Sequence, residues 1–144
     1  MNPQFELPES IYDPLKRHCA QGESHFETGH YSEAMGEYNA AWMLIPDPKN
    51  EWEASTWVLA ALADTCIRLD RLEKAREALL YAMTCPGGLG NPFLHLRLGQ
   101  VSLDLGDEDR AADELIRAYM AEGEEIFAAE DPKYLSFLAS RAQL

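Results

Sequence analysis

The residues best suited to chemistry are four histidines, of which His18 and His25 lie seven positions apart on one predicted helix, beside Cys19 and Glu23. Imidazole, thiolate and carboxylate groups are all zinc ligands. However, this spacing matches no common zinc pattern, and one helix rarely completes a tetrahedral site. We therefore expect no metal site, and a metal-dependent hydrolase built on His18 and His25 is the least favoured alternative.

The sequence shows no other catalytic motif. Residues 86–91 are glycine-rich, but they lack the preceding strand and the Lys-Ser/Thr pair of a phosphate-binding loop. They are better interpreted as a connector in which Asn91 caps a helix that starts at Pro92. A Gly-x-Ser-x-Gly nucleophile motif is missing from the sequence. We predict no catalytic residue, no cofactor and a protein that is not an enzyme.

The charge of the chain limits its partners. Its 144 residues include 25 Asp and Glu against 12 Lys and Arg, a net charge of −13. Such a chain repels phosphate backbones and anionic lipids, so we expect no nucleic acid and no membrane partner, but a basic protein. Three cysteines without a Cys-x-x-Cys pair, and the lack of a visible signal segment, predict a reducing, cytoplasmic location.

The elements that must position these residues are predicted to be helices. Apolar residues recur at helical spacing, and alternating β-branched runs are missing. Residues 1–13 contain Pro3 and Pro8 and are predicted to form an extended N-terminal arm. Asp13 and Pro14 then favour the start of a helix, and residues 14–144 are predicted to form a single all-α domain.

One segment occurs three times. A turn at residues 28–34, 69–75 and 105–111 ends in an alanine, followed by a bulky residue four positions later and a second alanine three positions after that. Small residues at this spacing let two helices approach closely. Gly29 and Gly106 suit a left-handed turn residue, and Asp70 is a tolerable substitute. The repeated positions are Ala34, Tyr38 and Ala41, then Ala75, Leu79 and Ala82, then Ala111, Leu115 and Ala118.

This pattern resembles the tetratricopeptide repeat, a 34-residue helix-turn-helix unit. The resemblance implies an all-α solenoid of helical hairpins, with repeats at about 15–48, 56–89 and 92–125 and a C-terminal capping helix at about 131–142. His18 departs from the family by standing where a bulky apolar residue is usual. Gly123 replaces the terminal proline, so the last helix of the third repeat is expected to continue toward Glu130.

The resemblance also implies a binding surface, because the first helices of such repeats line a concave groove. Carboxylates interleaved with aromatic rings suit a basic segment. Repeat modules that bind acidic chaperone tails carry Lys, Arg or Asn at these positions, whereas this sequence has acidic residues there. The resemblance therefore implies that an acidic tail is not the partner. The predicted partner-binding residues are Glu23, Glu27, Trp57, Asp64, Arg68, Phe93, Gln100 and Asp104.

A second acidic surface is predicted toward the C-terminus. Residues 104–131 contain eleven carboxylates and only two arginines, Arg110 and Arg117. Such clustering accelerates encounter with a basic partner. The sequence does not decide between the groove and this acidic surface as the place where a partner binds.

The function that we expect is therefore protein–protein interaction without catalysis. Residues 85–99, 117–127 and 130–134 more weakly resemble small bacterial repeat proteins of polymorphic-toxin loci, which implies an immunity protein that neutralises a cognate toxin. The alternative is a chaperone or adaptor for a secreted substrate or for complex assembly. We expect a monomer or a weak homo-oligomer, in which self-association would use Trp42, Trp52 and the capping helix.

Overall fold

A computed structural model describes residues 5–144. Across these residues the structure is all-helical, without a strand, as the sequence predicts. Two short 3-10 turns, Lys49–Glu51 and Glu124–Phe127, complete the elements. None of the described helices is long and apolar enough to cross a bilayer. The helices are α1 (Glu9–Glu27), α2 (Tyr31–Leu44), α3 (Glu53–Arg68), α4 (Leu72–Ala82), α5 (Pro92–Asp104), α6 (Glu108–Glu122) and α7 (Pro132–Arg141).

The first six helices pair into three hairpins, α1–α2, α3–α4 and α5–α6. Each hairpin turns at one residue with positive φ: Gly29 at 79°, Asp70 at 57° and Gly106 at 87°. The amide that follows each turn residue donates to a carbonyl five residues earlier at 2.8 Å. This bond is the C-cap that a left-handed residue makes possible. The structure thus confirms the prediction for all three turn residues, the aspartate included.

The six repeated alanines lie in the interior of the hairpins, and all six are fully buried. A larger side chain at any of these positions would push its helix away from its neighbours, because the distance between packed helices depends on the side chains at the contact. The close-packing role that the sequence predicts for these alanines is therefore confirmed.

The residues form two compact units, one ending at Leu89 and the other running from Gly90 to Leu144. The core of the first unit is built on Leu15, Ile45, Val58 and Leu62. The core of the second unit contains Leu96, Leu115, Ala118, Phe127, Tyr134 and Leu138. That residues 14–144 act as a single domain stays a prediction.

The first helix begins earlier than the sequence predicts. Helix α1 starts at Glu9, and Pro14 lies inside it, so residues 9–13 are helical instead of extended. The carbonyl of Pro8 accepts hydrogen bonds from the amides of residues 11 and 12, both at 2.9 Å, which fixes the first turn. The ring of Tyr12 in that turn lies 6.5 Å from the ring of Trp57, and this tertiary contact favours the extra turn. Residues 1–4 of the predicted arm lie outside the described residues.

The end of the third hairpin also differs from expectation. Helix α6 stops at Glu122, because Gly123 adopts φ 74° and ψ −166°, a conformation that ends a helix. A 3-10 turn follows where a continued helix was expected. The capping helix itself is confirmed: Asp131 accepts a hydrogen bond from the amide of Lys133 at 2.9 Å, with Pro132 in the first turn.

Candidate functional site

The first unit contains an open cavity of about 520 Å³ between α1 and α3. Most of its wall residues on each helix are three or four positions from the next, and residues at that spacing share one helix face. We call it the first-unit cavity. It is lined by Tyr12, Lys16, Cys19, Ala20, Glu23 and Phe26 of α1, by Tyr38 of α2, and by Trp57, Ala61 and Asp64 of α3.

Tyr38 is the most deeply placed of the lining residues. Its side chain is 6% exposed and lies against Gly22, where an added Cβ would come within 2.7 Å of the tyrosine Cε1. Within residues 5–144 its hydroxyl has no hydrogen-bond partner. Burial, and then the charges of Cys19, Glu23, Asp64 and Glu27, raise the pKa of Tyr38 to about 12. The hydroxyl therefore stays protonated at neutral pH.

Two of the aromatic rings beside the cavity are covered by cations of the chain itself. The Lys16 ammonium lies 5.3 Å from the centre of the Tyr12 ring. The Arg68 guanidinium lies 5.6 Å from the centre of the Phe26 ring. The ring of Trp57 lies 6.5 Å from the tilted ring of Tyr12, and the residue is 40% exposed.

The cavity also holds Cys19, whose chemistry is suppressed. Burial raises the pKa of the Cys19 thiol to about 11. Because the thiolate is the reactive form of cysteine, this side chain is a poor nucleophile at neutral pH. What the cavity offers is therefore aromatic surface, carboxylates and a phenol, which are groups suited to binding.

The predicted partner-binding residues of the first two repeats all lie in the first unit. Glu23, Trp57 and Asp64 line the first-unit cavity. Glu27 and Arg68 are exposed at the last residues of α1 and α3. These five residues are brought into the same unit, and three of them onto one surface.

Tyr12 and Tyr38 line the cavity but were not among the predicted partner-binding residues. Tyr12 fell in the predicted arm, so its place on the face of α1 was not anticipated. Tyr38 was assigned to helix packing from the repeat pattern, and its packing contact with Gly22 is real. The signal for its second role was its hydroxyl, which a purely apolar packing position does not require.

The predicted residues of the third repeat have internal partners in the second unit. Gln100 is buried: its amide oxygen accepts from Arg97 at 2.9 Å, and its amide nitrogen donates to Glu130 at 2.8 Å. Asp104 accepts from the Tyr134 hydroxyl at 2.6 Å and pairs with Lys133. Both residues hold the unit together, so we leave them out of the proposed binding surface.

Phe93 lies at a smaller cavity of the second unit, about 330 Å³ in volume. The Arg97 guanidinium lies 4.5 Å from the centre of its ring. Among the other residues that line this cavity are Glu122, Glu125 and Ile126. Phe93 is thus a surface residue of its own unit, with a cation already on its ring.

The histidines do not converge on a metal site. His18 Nδ1 lies 2.8 Å from a carboxylate oxygen of Glu37, whereas His25 faces the ring of His30 with centroids 6.2 Å apart. Buried His95 lies 2.5 Å from Glu114. Among residues 5–144, His, Cys, Asp and Glu side chains form no group of three or more that could hold a metal ion.

Comparison with known proteins identifies the fold. No family model matches the chain, and no curated protein is significantly similar in sequence. Solved structures do match over most of the chain. The type III secretion chaperone SycD of Yersinia enterocolitica, in complex with a peptide of the translocator YopD, has a TM-score of 0.70 at 15% identity, covering 89% of this chain and 92% of that one.

Two further structures agree. The first tetratricopeptide-repeat domain of human RPAP3 has a TM-score of 0.69 at 21% identity, with 89% of this chain and 94% of that one covered. PcrH, in complex with the chaperone-binding region of PopB, has a TM-score of 0.64 at 21% identity, with 93% and 94% covered. At these identities the likeness establishes the architecture. The chain therefore has the tetratricopeptide-repeat fold, as its three hairpins and buried alanines predict.

Proposed function

We propose that this protein binds a basic segment of a protein partner in the first-unit cavity and acts as a chaperone or adaptor without catalysis. One observation carries the proposal. An open cavity lies between the first helices of two neighbouring hairpins, and aromatic rings and carboxylates line it together. Rings of this kind supply buried contact area, and charges supply orientation and speed of encounter.

The structural neighbours support a peptide ligand. SycD was solved with a translocator peptide, and PcrH with the chaperone-binding regions of PopB and PopD. The first tetratricopeptide-repeat domain of Spaghetti (RPAP3) was solved with the HSP90 peptide SRMEEVD. A chain of this fold that also exposes a cavity of suitable size is a reasonable candidate for the same kind of ligand.

Charge separates this chain from the modules that bind acidic tails. Glu23 and Asp64 line the cavity, and Glu27 lies close enough for its charge to act on Tyr38. Carboxylates so placed repel an acidic peptide and attract a basic one. The partner we propose is therefore a basic segment, and the protein acts in the reducing cytoplasm that its cysteines predict.

The immunity hypothesis rests on sequence resemblance alone, and none of the proteins named above is a toxin antagonist. It stays a prediction, distinguished from the chaperone role by partner number. An immunity protein holds one toxin in a tight one-to-one complex, whereas a chaperone or adaptor binds several segments more weakly.

A capture experiment tests the proposed function. Immobilised wild-type protein and the double variant Trp57→Ala/Glu23→Gln are exposed to the same lysate, and retained proteins are identified by mass spectrometry. Both side chains are exposed, so we expect the variant to fold. We expect partners of basic character to be retained by the wild type and lost by the variant.

The control is Glu77→Gln, which removes an exposed carboxylate of α4 outside the cavity lining. It should retain the same partners as the wild type. Equal retention by the wild type and the double variant would place binding elsewhere and refute the proposal.

A further inference from the structure

We propose that the first-unit cavity contains a subsite for the guanidinium group of a partner's arginine, formed by the Trp57 ring, the Glu23 carboxylate and the Tyr38 hydroxyl. The inference rests on the proposed function, because it names the side chain by which a basic segment is recognised. The subsite makes an additional demand that the proposed function does not. The cavity must distinguish a cationic side chain from a neutral one of the same shape.

The first argument is the state of the aromatic rings. Tyr12 and Phe26 each have a lysine or arginine of this chain over their faces. Among the described residues, no cation lies over the ring of Trp57, although it is the largest of the aromatic side chains in the cavity and 40% exposed. Tryptophan gives the strongest cation–π attraction of the aromatic residues. An arriving cation therefore finds its best open ring at Trp57.

The second argument concerns arginine in particular. A guanidinium group is planar, stacks on rings and matches a carboxylate with two parallel N–H donors, whereas an ammonium is a compact, strongly hydrated charge. The chain itself places arginine on phenylalanine three times, at Arg68, Arg97 and Arg141. An arginine from a partner, stacked on Trp57 and directed toward Glu23, would repeat this arrangement with a carboxylate added.

The third argument is the hydroxyl of Tyr38. The residue is 6% exposed and lines the cavity, and within residues 5–144 no side chain or backbone group forms a hydrogen bond with its hydroxyl. The hydroxyl is therefore available to a ligand that enters the cavity. Its oxygen can accept an N–H of a guanidinium group. Burial is the main cause of the raised pKa of Tyr38, and the nearby charges of Glu23, Asp64 and Glu27 raise it further, so these carboxylates act on the same part of the cavity.

Lys16 opposes such a ligand. Among the described residues that line the cavity, it is the one basic side chain, and its ammonium lies over the neighbouring ring of Tyr12. Repulsion between this ammonium and an arriving guanidinium weakens binding. Removing the charge should therefore tighten the complex, which is an unusual expectation for a substitution within a binding site.

Three capped peptides test the subsite: acetyl-Ala-Leu-Arg-Leu-Ala-amide and its counterparts with lysine or citrulline at the central position. Citrulline has nearly the same shape as arginine but no charge. Binding is followed in the full chain by the NMR shift of the Trp57 indole N–H, assigned with Trp57→Phe. We expect the arginine peptide to bind about tenfold more tightly than the citrulline peptide, with lysine between them.

Variants then assign the contacts. Glu23→Gln should lower affinity for the arginine peptide about fivefold to tenfold and leave the citrulline peptide unchanged. Lys16→Met should raise affinity for the arginine peptide about threefold. Glu77→Gln, outside the cavity, should change neither. Far-UV circular dichroism confirms that each variant is folded.

Equal affinity for arginine and citrulline, or no binding of the arginine peptide at millimolar concentration, would overturn the inference. A Glu23→Gln effect of the same size on both peptides would do so too. In each case the capture experiment remains an independent test, because loss of partners in the Trp57→Ala/Glu23→Gln variant requires no preference for arginine. The subsite can therefore fail while the proposed function stands.

Discussion

Acidic residues serve different purposes in the two units. In the first unit Glu23, Glu27 and Asp64 act on the buried Tyr38 phenol, and two of them line an open cavity. In the second unit, whose eleven carboxylates all lie within residues 104–131, several of the acids have structural tasks. Two cap helices, and others pair with cations or hydroxyls of the same unit; these acids are Asp104, Asp107, Asp113, Glu114, Glu130 and Asp131.

The comparison separates the amount of charge along a stretch of sequence from the side chains that surround each charge. Residues 104–131 carry most of the net charge, and we predicted an acidic docking surface there. Some of their carboxylates cap helices or pair with cations and hydroxyls of the same unit, and the docking surface itself stays a prediction. Glu23 and Asp64 of the first unit instead line a cavity together with aromatic rings, and we propose that a ligand uses that combination.

The largest of the predicted effects on stability is expected at a buried histidine–glutamate pair. Glu114→Ala removes the partner of His95 where both side chains are more than 90% buried, and should lower the free energy of unfolding by about 3 kcal/mol. Glu37→Ala removes the corresponding partner of His18, whose side chain is 39% exposed, and should cost at most about 1 kcal/mol. Urea denaturation of both variants measures the two losses of unfolding free energy. Equal losses would contradict the expected difference between the buried and the exposed pair.

The next effect concerns two equivalent glycines. A Cβ at Gly99 would lie 2.6 Å from the side chain of Leu115 and 3.1 Å from its backbone nitrogen, so Gly99→Ala should cost about 2 kcal/mol. A Cβ at Gly22 meets the outer ring atoms of Tyr38, which can shift into the open cavity. Gly22→Ala should therefore cost less than about 1 kcal/mol. Thermal denaturation measures both, and a larger loss at Gly22 would refute this explanation.

A smaller effect is expected at two tyrosines. Tyr134→Phe removes a hydrogen bond to Asp104 and should cost about 1 kcal/mol, whereas Tyr38→Phe removes no bond within the described residues and should cost little. Burial, more than the Asp104 bond, raises the pKa of Tyr134, and burial raises that of Tyr38 to about 12.

The same tyrosines predict a loss of stability in alkali. The folded state holds both phenol protons more tightly than the unfolded chain, so the stabilisation is complete below about pH 10 and is lost as the pH rises through the folded-state pKa values. Urea denaturation at pH 8 and pH 11 should show this fall. Tyr134→Phe and Tyr38→Phe should each reduce this loss of stability between pH 8 and pH 11. A loss of unchanged size in both variants would show that these tyrosines do not cause it.

The smallest effect on stability is expected at the cavity itself. Glu23→Gln and Glu27→Gln remove exposed charges and should change the free energy of unfolding by less than about 0.5 kcal/mol. Their effect should appear in binding instead. The peptide SRMEEVD should show no heat of binding to the wild type by calorimetry, and measurable binding of that acidic peptide would contradict the charge argument.

Local signals in the sequence were sufficient for the hairpins. Alanine spacing, the turn residues and the Asn91 and Asp131 caps each depend on a few neighbouring residues, and the structure agrees with all of them. Other features required tertiary information. The start of α1, which was predicted wrongly, depends on a contact with Trp57. The internal hydrogen bonds of Gln100 and Asp104 depend on where Glu130 and Tyr134 lie.

The two histidine–glutamate pairs have a consequence for how this sequence can change over evolutionary time. His18 and Glu37 are separated by 19 residues, and so are His95 and Glu114, whereas the middle hairpin has Leu59 and Ala78 at the matching positions. Losing one partner of the buried pair leaves the other polar group buried without a partner, so a substitution of either residue alone is destabilising. We therefore expect the two residues to be retained or replaced together. Their replacement by two apolar residues, as in the middle hairpin, requires both substitutions together.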